Sequence, residues 1–302
     1  MKKNLLLMII CCLLILSACT SITTEGRAQN GRLKITATIF PYYDLVKTVV
    51  QDRADLRLVV PLGIEPHEYE PSAREIADIY NSDLFIYNGL GMEPWADRIK
   101  SDLENKGVKV LKMSDHAIAM QNDPHLWLNI SYMENFTSTI GKTLQQLDAS
   151  EADKKIFAKN AENFISELEA MLSAFNRLSS CNKKEFITGH AAFTYLSSEF
   201  GLTNYSVNGP TTEGEPSAGR IAEIITLMKQ KNFGTIFIDN LSSPKFAQVI
   251  ADQVGGKVAV LYTLENVTKD ELERGETYLT LMSKNLDSLK KELDCPAGNN
   301  IN

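Results

Sequence analysis

Residues 150–178 read SEADKKIFAKNAENFISELEAMLSAFNRL. Phe157, Ala161, Phe164, Leu168, Met171, Phe175 and Leu178 step alternately by four and three, the spacing of one apolar stripe on a continuous helix. Ser150, with Asp153 three positions on, marks an N-terminal cap. Neither Gly nor Pro interrupts the stretch, and poor helix formers at 179–183 end it. At 1.5 Å per residue such a helix is roughly 40 Å long, about the width of a domain. It lies near the middle of the chain with mixed α/β patterns on either side. It therefore reads as a spine joining two lobes, its stripe packing on both and carrying no ligand of its own.

On either side, short β-branched or aromatic runs alternate with helical patterns, the signature of parallel βα units. Before the spine the pattern predicts strands at 34–40, 56–61, 84–88 and 108–111, with helices at about 41–50, 73–80, 94–105 and 132–147. After it come strands at 186–188, 203–207, 235–239 and 258–262, and helices at 191–200, about 217–230 and 244–254. One long helix over 269–293 closes the chain. Glu70-Pro71-Ser72-Ala73, followed by Ile76, Ala77 and Ile79, matches Glu215-Pro216-Ser217-Ala218, followed by Ile221, Ala222 and Ile224, at the same offsets. Similar strands follow each, Phe85-Ile86-Tyr87-Asn88 and Phe237-Ile238-Asp239-Asn240. Helix starts favour Pro and Ser, but agreement of loop, helix and strand together points to duplicated or convergent lobes. The fold class is thus α/β: two lobes of parallel βα units joined by one long helix, with a site in the cleft between them. The expected organisation is a signal peptide (1–18), a flexible tether (19–31), an N-terminal lobe (32–149), the linking helix (150–180) and a C-terminal lobe (181–302).

The 302 residues are 44% hydrophobic, enough for a substantial core, and the formal net charge of −7 argues against nucleic acid as a partner. At the N-terminus, Lys2 and Lys3 precede an apolar run from Leu5 to Leu16, short for a bilayer span but suited to a signal-peptide core. Leu16-Ser17-Ala18-Cys19 resembles the bacterial lipobox, whose Cys is acylated and becomes the mature N-terminus. Acylation at Cys19 would anchor the protein to the lipid bilayer outside the cytoplasm. Residues 20–31 are polar and patternless, as a tether would be. Cys181 and Cys295 remain for a compartment where disulfides persist, and read either as a bridge or as two free thiols.

There are four histidines. His67, His125 and His190 each stand where a strand or loop hands over to a helix, on the side where open α/β sheets bind ligands. Each reads as a metal ligand or as a loop imidazole hydrogen-bonded to a backbone carbonyl. His116, in a looser stretch, takes the second reading.

Ile39-Phe40-Pro41, Pro66-His67-Glu68-Tyr69-Glu70-Pro71, Asp123-Pro124-His125-Leu126-Trp127 and Gly189-His190-Ala191-Ala192-Phe193-Thr194-Tyr195 together resemble the zinc/manganese solute-binding proteins of bacterial ABC importers. The likeness runs from Lys34 to Leu293. It implies two α/β lobes on a rigid helix, one metal ion buried between them, and delivery of that ion to a membrane permease. The first two ligand positions of the family fall on His67 and His125. The third is His in zinc-binding members and often Glu in manganese-binding ones; here it is His190. The fourth is normally Asp, in a segment like Thr-Leu-Asp-Pro, where this chain has Thr263-Leu264-Glu265-Asn266. Glu265 is therefore the fourth candidate, with Glu213 and Asp239 as alternatives and a solvated loop carboxylate as the plain reading.

Three imidazoles and a carboxylate suit four-coordinate Zn2+ better than Mn2+, which prefers more oxygen donors and ranks lower in intrinsic affinity. Residues 113–122 carry only His116 and no His-rich tract of the kind zinc members often have. The expected function is capture of Zn2+ by a monomer and its delivery to an importer, with Mn2+ as the alternative cargo. A zinc hydrolase or a surface adhesin are the readings of a different class. A histidine site should weaken below about pH 6 as its imidazoles protonate, and a single helical spine should allow only small lobe motion.

Overall fold

The computed structural model describes residues 31–120, 123–209 and 216–296. The signal peptide, Cys19, the tether to residue 30, and Glu213 and Glu215 lie outside the described residues. In the first half, β1 (Leu33–Ala37), β2 (Ala54–Leu58), β3 (Leu84–Tyr87) and β4 (Lys109–Lys112) alternate with α1 (Phe40–Val50), α2 (Ala73–Ile79) and α3 (Pro94–Asn105). Helix α4 (Ile130–Gln146) leads to the spine, α5 (Glu151–Asn176). The second half has β5 (Glu185–Thr188), β6 (Thr203–Ser206), β7 (Thr235–Ile238) and β8 (Lys257–Val260). With them come α6 (Thr194–Phe200), α7 (Ala218–Lys231), α8 (Lys245–Asp252), α9 (Lys269–Glu273) and α10 (Tyr278–Glu292).

Both described sheets are parallel and wound alike, β2-β1-β3-β4 and β6-β5-β7-β8. The winding direction reverses between β1 and β3 and again between β5 and β7, and crevices for ligands open beyond the carboxyl ends at such points. Alternation along the strands separates the faces. Phe85, Ile187 and Ile236 enter cores on the outer faces, while Ile86, Phe186 and Phe237 enter one inner core. That inner core also takes in the spine and residues of both halves, so the lobes share hydrophobic burial.

Helix α5 starts where its cap predicts: Ser150 Oγ accepts from Asp153 N at 3.1 Å. It runs 26 residues before a 3-10 turn, Arg177–Ser180. Phe157, Ala161, Phe164, Leu168, Phe175 and Leu178 are buried, and Met171 is partly buried against the same core. Most of its length lies on α1 and α4, where Asn160 Nδ2 donates to Val49 O and Gly141 lets α4 approach. A Cβ on Gly141 would stand 3.0 Å from that of Ala161. Towards its C-terminal end, Phe175 meets Phe200 of α6 with ring centroids 5.2 Å apart.

Two helical expectations need correction. The long helix predicted over 269–293 is two helices. Gly275 at φ +80° breaks it, and Thr277 caps a new helix through Thr280 N. The helix predicted from 191 begins at Thr194, because Ala191 N and Ala192 N bond to Gly209 O and His190 O in a turn around the histidine. Strand β2 also starts two residues earlier and ends three earlier than predicted, set by its register of Leu33 with Ala54. Cys181, after the 3-10 turn, is bonded to Cys295, beyond α10, across 114 residues.

Candidate metal centre

Each ligand candidate is delivered by the carboxyl end of a sheet. His67 lies in the loop after β2, within a single 3-10 turn, Pro66–Glu68. Pro66 opens the turn with its fixed φ, and Glu65 caps it by accepting from His67 N at 3.3 Å. His125 follows β4 and is held hard. Asp123 Oδ1 accepts from its backbone N at 2.9 Å and lies 2.5 Å from its Nδ1. Around it, Asn88 Nδ2 donates to Pro124 O and Tyr195 OH to Asp123 O. His190 follows β5; Thr188 Oγ1 donates to its carbonyl, and Asp239 Oδ2, at the end of β7, lies 3.5 Å from its Nδ1. Glu265 follows β8.

The four side chains meet. Glu265 Oε1 lies 2.9 Å from His125 Nε2 and 3.3 Å from His190 Nε2, and Oε2 lies 3.9 Å from His67 Nε2. All four side chains are at most 5% exposed. Donors about 2 Å from a common tetrahedral ion stand about 3.3 Å apart, and the three carboxylate-to-imidazole separations lie around that value. His67 Nε2 is buried without a hydrogen-bond partner, a costly state unless a cation claims its lone pair. One donor atom each from His67, His125 and Glu265 all fall within 4.8 Å of one another.

The electrostatics follow from these neighbours. Burial disfavours charge on His190, but Asp239 and Glu265 more than offset it and push the imidazole up to about 10. His125 is raised in the same way by Asp123 and Glu265. For His67 burial wins and lowers the imidazole to about 4. Against the cost of its own burial, the two raised histidines hold Glu265 well below the usual carboxylate range. Burial and the nearby Glu265 charge push Glu65 up to about 8.

Asp239 is not brought in as a ligand. It orients His190, while its Oδ1 accepts from Leu241 N and Ser242 N, as Asp123 orients His125; such pairing fixes the tautomer that presents Nε2. The side chain of His116 stays out of the cluster, and its carbonyl accepts from Asn135 Nδ2. Asp123 and Glu65 escaped sequence reasoning. Each lies two positions before a candidate histidine, which was the one available signal.

A carboxylate that meets three imidazoles and is 2% exposed suits the holding of one ion. With two α/β lobes on a helical spine, this defines a two-lobed metal-binding protein. The model of the family described as zinc-uptake complex component A, periplasmic (ZnuA), matches residues 35–292. A high-affinity zinc uptake system protein, ZnuA of Bacillus subtilis, is 32% identical over 97% of this chain and 98% of its own length. The zinc-binding lipoprotein AdcA of Streptococcus pneumoniae is 33% identical over 97% of this chain, which spans 62% of that relative. The crystal structure of the Zn(II)-bound ZnuA-like domain of Streptococcus pneumoniae AdcA has a TM-score of 0.79 and 34% identity, covering 87% of this chain and 100% of that one. The chain belongs to the zinc-uptake component A family. That is a family of uptake components, not of enzymes, and it favours zinc over manganese.

Proposed function

We propose that this protein captures one Zn2+ outside the cytoplasmic membrane through His67, His125, His190 and Glu265 and passes it to the permease of an ABC importer. The observation that carries the reading is the meeting of three Nε2 atoms around one buried carboxylate, with that of His67 left unpartnered. A nitrogen-rich set of four fits Zn2+ and gives Mn2+ too few oxygens. Longer Glu265 takes the place of the family's usual Asp and still reaches the histidines. Among the described residues no helix is long and apolar enough to cross a membrane. The lipobox-like segment at Cys19 supports attachment of the mature chain through an acylated N-terminus, and the chain acts as a monomer. The zinc uptake and zinc-binding lipoprotein names of the relatives support the same placement and cargo.

The test is a competitive Zn2+ titration of the mature protein against a chelating dye, with His125→Ala beside the wild type. Tight binding of one equivalent, lost in the variant, is expected. Equal affinity in the two proteins would overturn the assignment of the site.

A further inference from the structure

Sequence order puts Glu265 in the second half, but the backbone hydrogen bonds of its segment lay it against the first. Beyond β8 the chain leaves the second sheet and lies as a strap across the first lobe. Phe40 N donates to Glu265 O at 3.2 Å, and Gly63 N to Val267 O at 2.9 Å. Trp127 Nε1 donates to Thr263 O at 2.7 Å. The centre of the strap is Asn266, 1% exposed. Its Nδ2 donates both protons, to Pro61 O at 2.6 Å and Ile64 O at 2.9 Å, and its Oδ1 accepts from Val267 N at 2.8 Å. Three of the amide's four hydrogen-bonding positions are thus used, two of them on the loop that carries His67.

Leu264 shows how firmly the strap is set. It is fully buried in the shared core at φ +59°, a left-handed conformation rare for residues with a branched side chain. Such a residue persists only where its surroundings over-determine it. Here the strained residue immediately precedes Glu265.

We propose that Asn266 is a positioning residue. By pinning the strap to the loop that carries His67, it makes His67, His125 and Glu265 a preassembled three-donor bay of the first lobe. His190, from the end of β5, adds the fourth donor. This rests on the zinc-site reading above and says which residue sets the geometry of the carboxylate.

Zn2+ competition titrations of wild type, Asn266→Ala, Glu265→Gln and the double variant test it, with thermal unfolding of each metal-free protein recorded alongside. Loss of an outer partner of a ligand typically costs 10–100-fold in metal affinity, so Asn266→Ala should weaken binding by about that factor. In the Glu265→Gln background the same change should cost clearly less, because the carboxylate it aims is gone and only the placement of His67 is still affected. A purely structural role would weaken both backgrounds equally. Wild-type affinity in Asn266→Ala, or an equal loss in both backgrounds, overturns the proposal while leaving the zinc site standing. Wild-type affinity in Glu265→Gln overturns the ligand reading itself, and the positioning role with it. Should the Ala variant not fold, Asn266→Ser is read through the same cycle by the same criteria.

Discussion

His125 and His190 both stand beyond the carboxyl ends of parallel sheets of the same winding, His125 after the edge strand β4 and His190 after the inner strand β5, and they are held differently. His125 is clasped by Asp123 at both its backbone and its ring, and Asn88 and Tyr195 fix the carbonyls of the two residues before it, Pro124 and Asp123. Its neighbour Trp127 reaches the Glu265 strap. His190 has its carbonyl held by Thr188 Oγ1, but its Nδ1 faces only one carboxylate, at 3.5 Å, from the neighbouring strand of its own sheet. The first lobe therefore supplies a frame and the second supplies a closing donor. What decides the stiffness of each loop is how many buried polar groups converge on it.

The sharpest way to break that contrast is to remove a donor from each side. Apparent zinc binding energies of about 10–16 kcal/mol over four ligands assign about 2.5–4 to each, or roughly 10²- to 10³-fold in affinity. His125→Ala should lose at least that much, since it also leaves Asp123 buried without its imidazole partner. His190→Ala should fall at the lower end, with the three-donor bay still intact. Dye competition on both variants checks the order; a greater loss at His190 would reverse the assignment of frame and closure.

Proton competition comes next. A metal-binding imidazole must be neutral, and His190 in the metal-free protein stays protonated up to about pH 10. Zn2+ must displace that proton at any pH below this value, so affinity should rise about tenfold per pH unit between 6 and 8. His125, also raised, steepens the rise, whereas His67, lowered to about 4, adds nothing in that window. The dependence thus extends well above the pH 6 onset expected from unperturbed histidines. An affinity constant from pH 5 to 8 would contradict a histidine site.

The orienting carboxylates give a smaller effect. Asp123→Asn and Asp239→Asn should each weaken binding within the 10–100-fold range of outer-partner substitutions. Asp123 should cost more, because it holds both backbone and ring of its histidine. Isothermal titration of the two variants checks this. Least affected should be the metal affinity of Cys181→Ser/Cys295→Ser. Losing a bridge that closes a long loop lowers stability by about 2–4 kcal/mol, read as a lower denaturant midpoint, yet the bridge joins the far ends of α5 and α10 and touches no ligand. A tenfold loss of affinity there would mean that the second lobe's end is coupled to the site.

Much of this was legible in the chain. The four-three stripe of the spine is a local signal, and local periodicity survives folding. The histidines stood out because they are few and fall at strand ends. Glu265 was legible as the occupant of a family position, even though it departs from the usual Asp. What escaped depends on which segments meet in space. Asp239 looked like an alternative ligand because nothing in the sequence says that β7 lies beside β5. Asn266 looked like a loop residue because its carbonyl partners, Pro61 and Ile64, lie about two hundred positions away. The break at Gly275 was missed because 269–293 keeps an apolar helical pattern on both sides of the glycine.

The account turns on one ion shared by four named side chains. A zinc-edge anomalous difference map from crystals of the zinc-loaded protein measures this directly. It should show a single peak between the lobes, about 2.0–2.2 Å from the Nε2 atoms of His67, His125 and His190 and from an oxygen of Glu265. A peak elsewhere, or one that Glu265 does not touch, would contradict it.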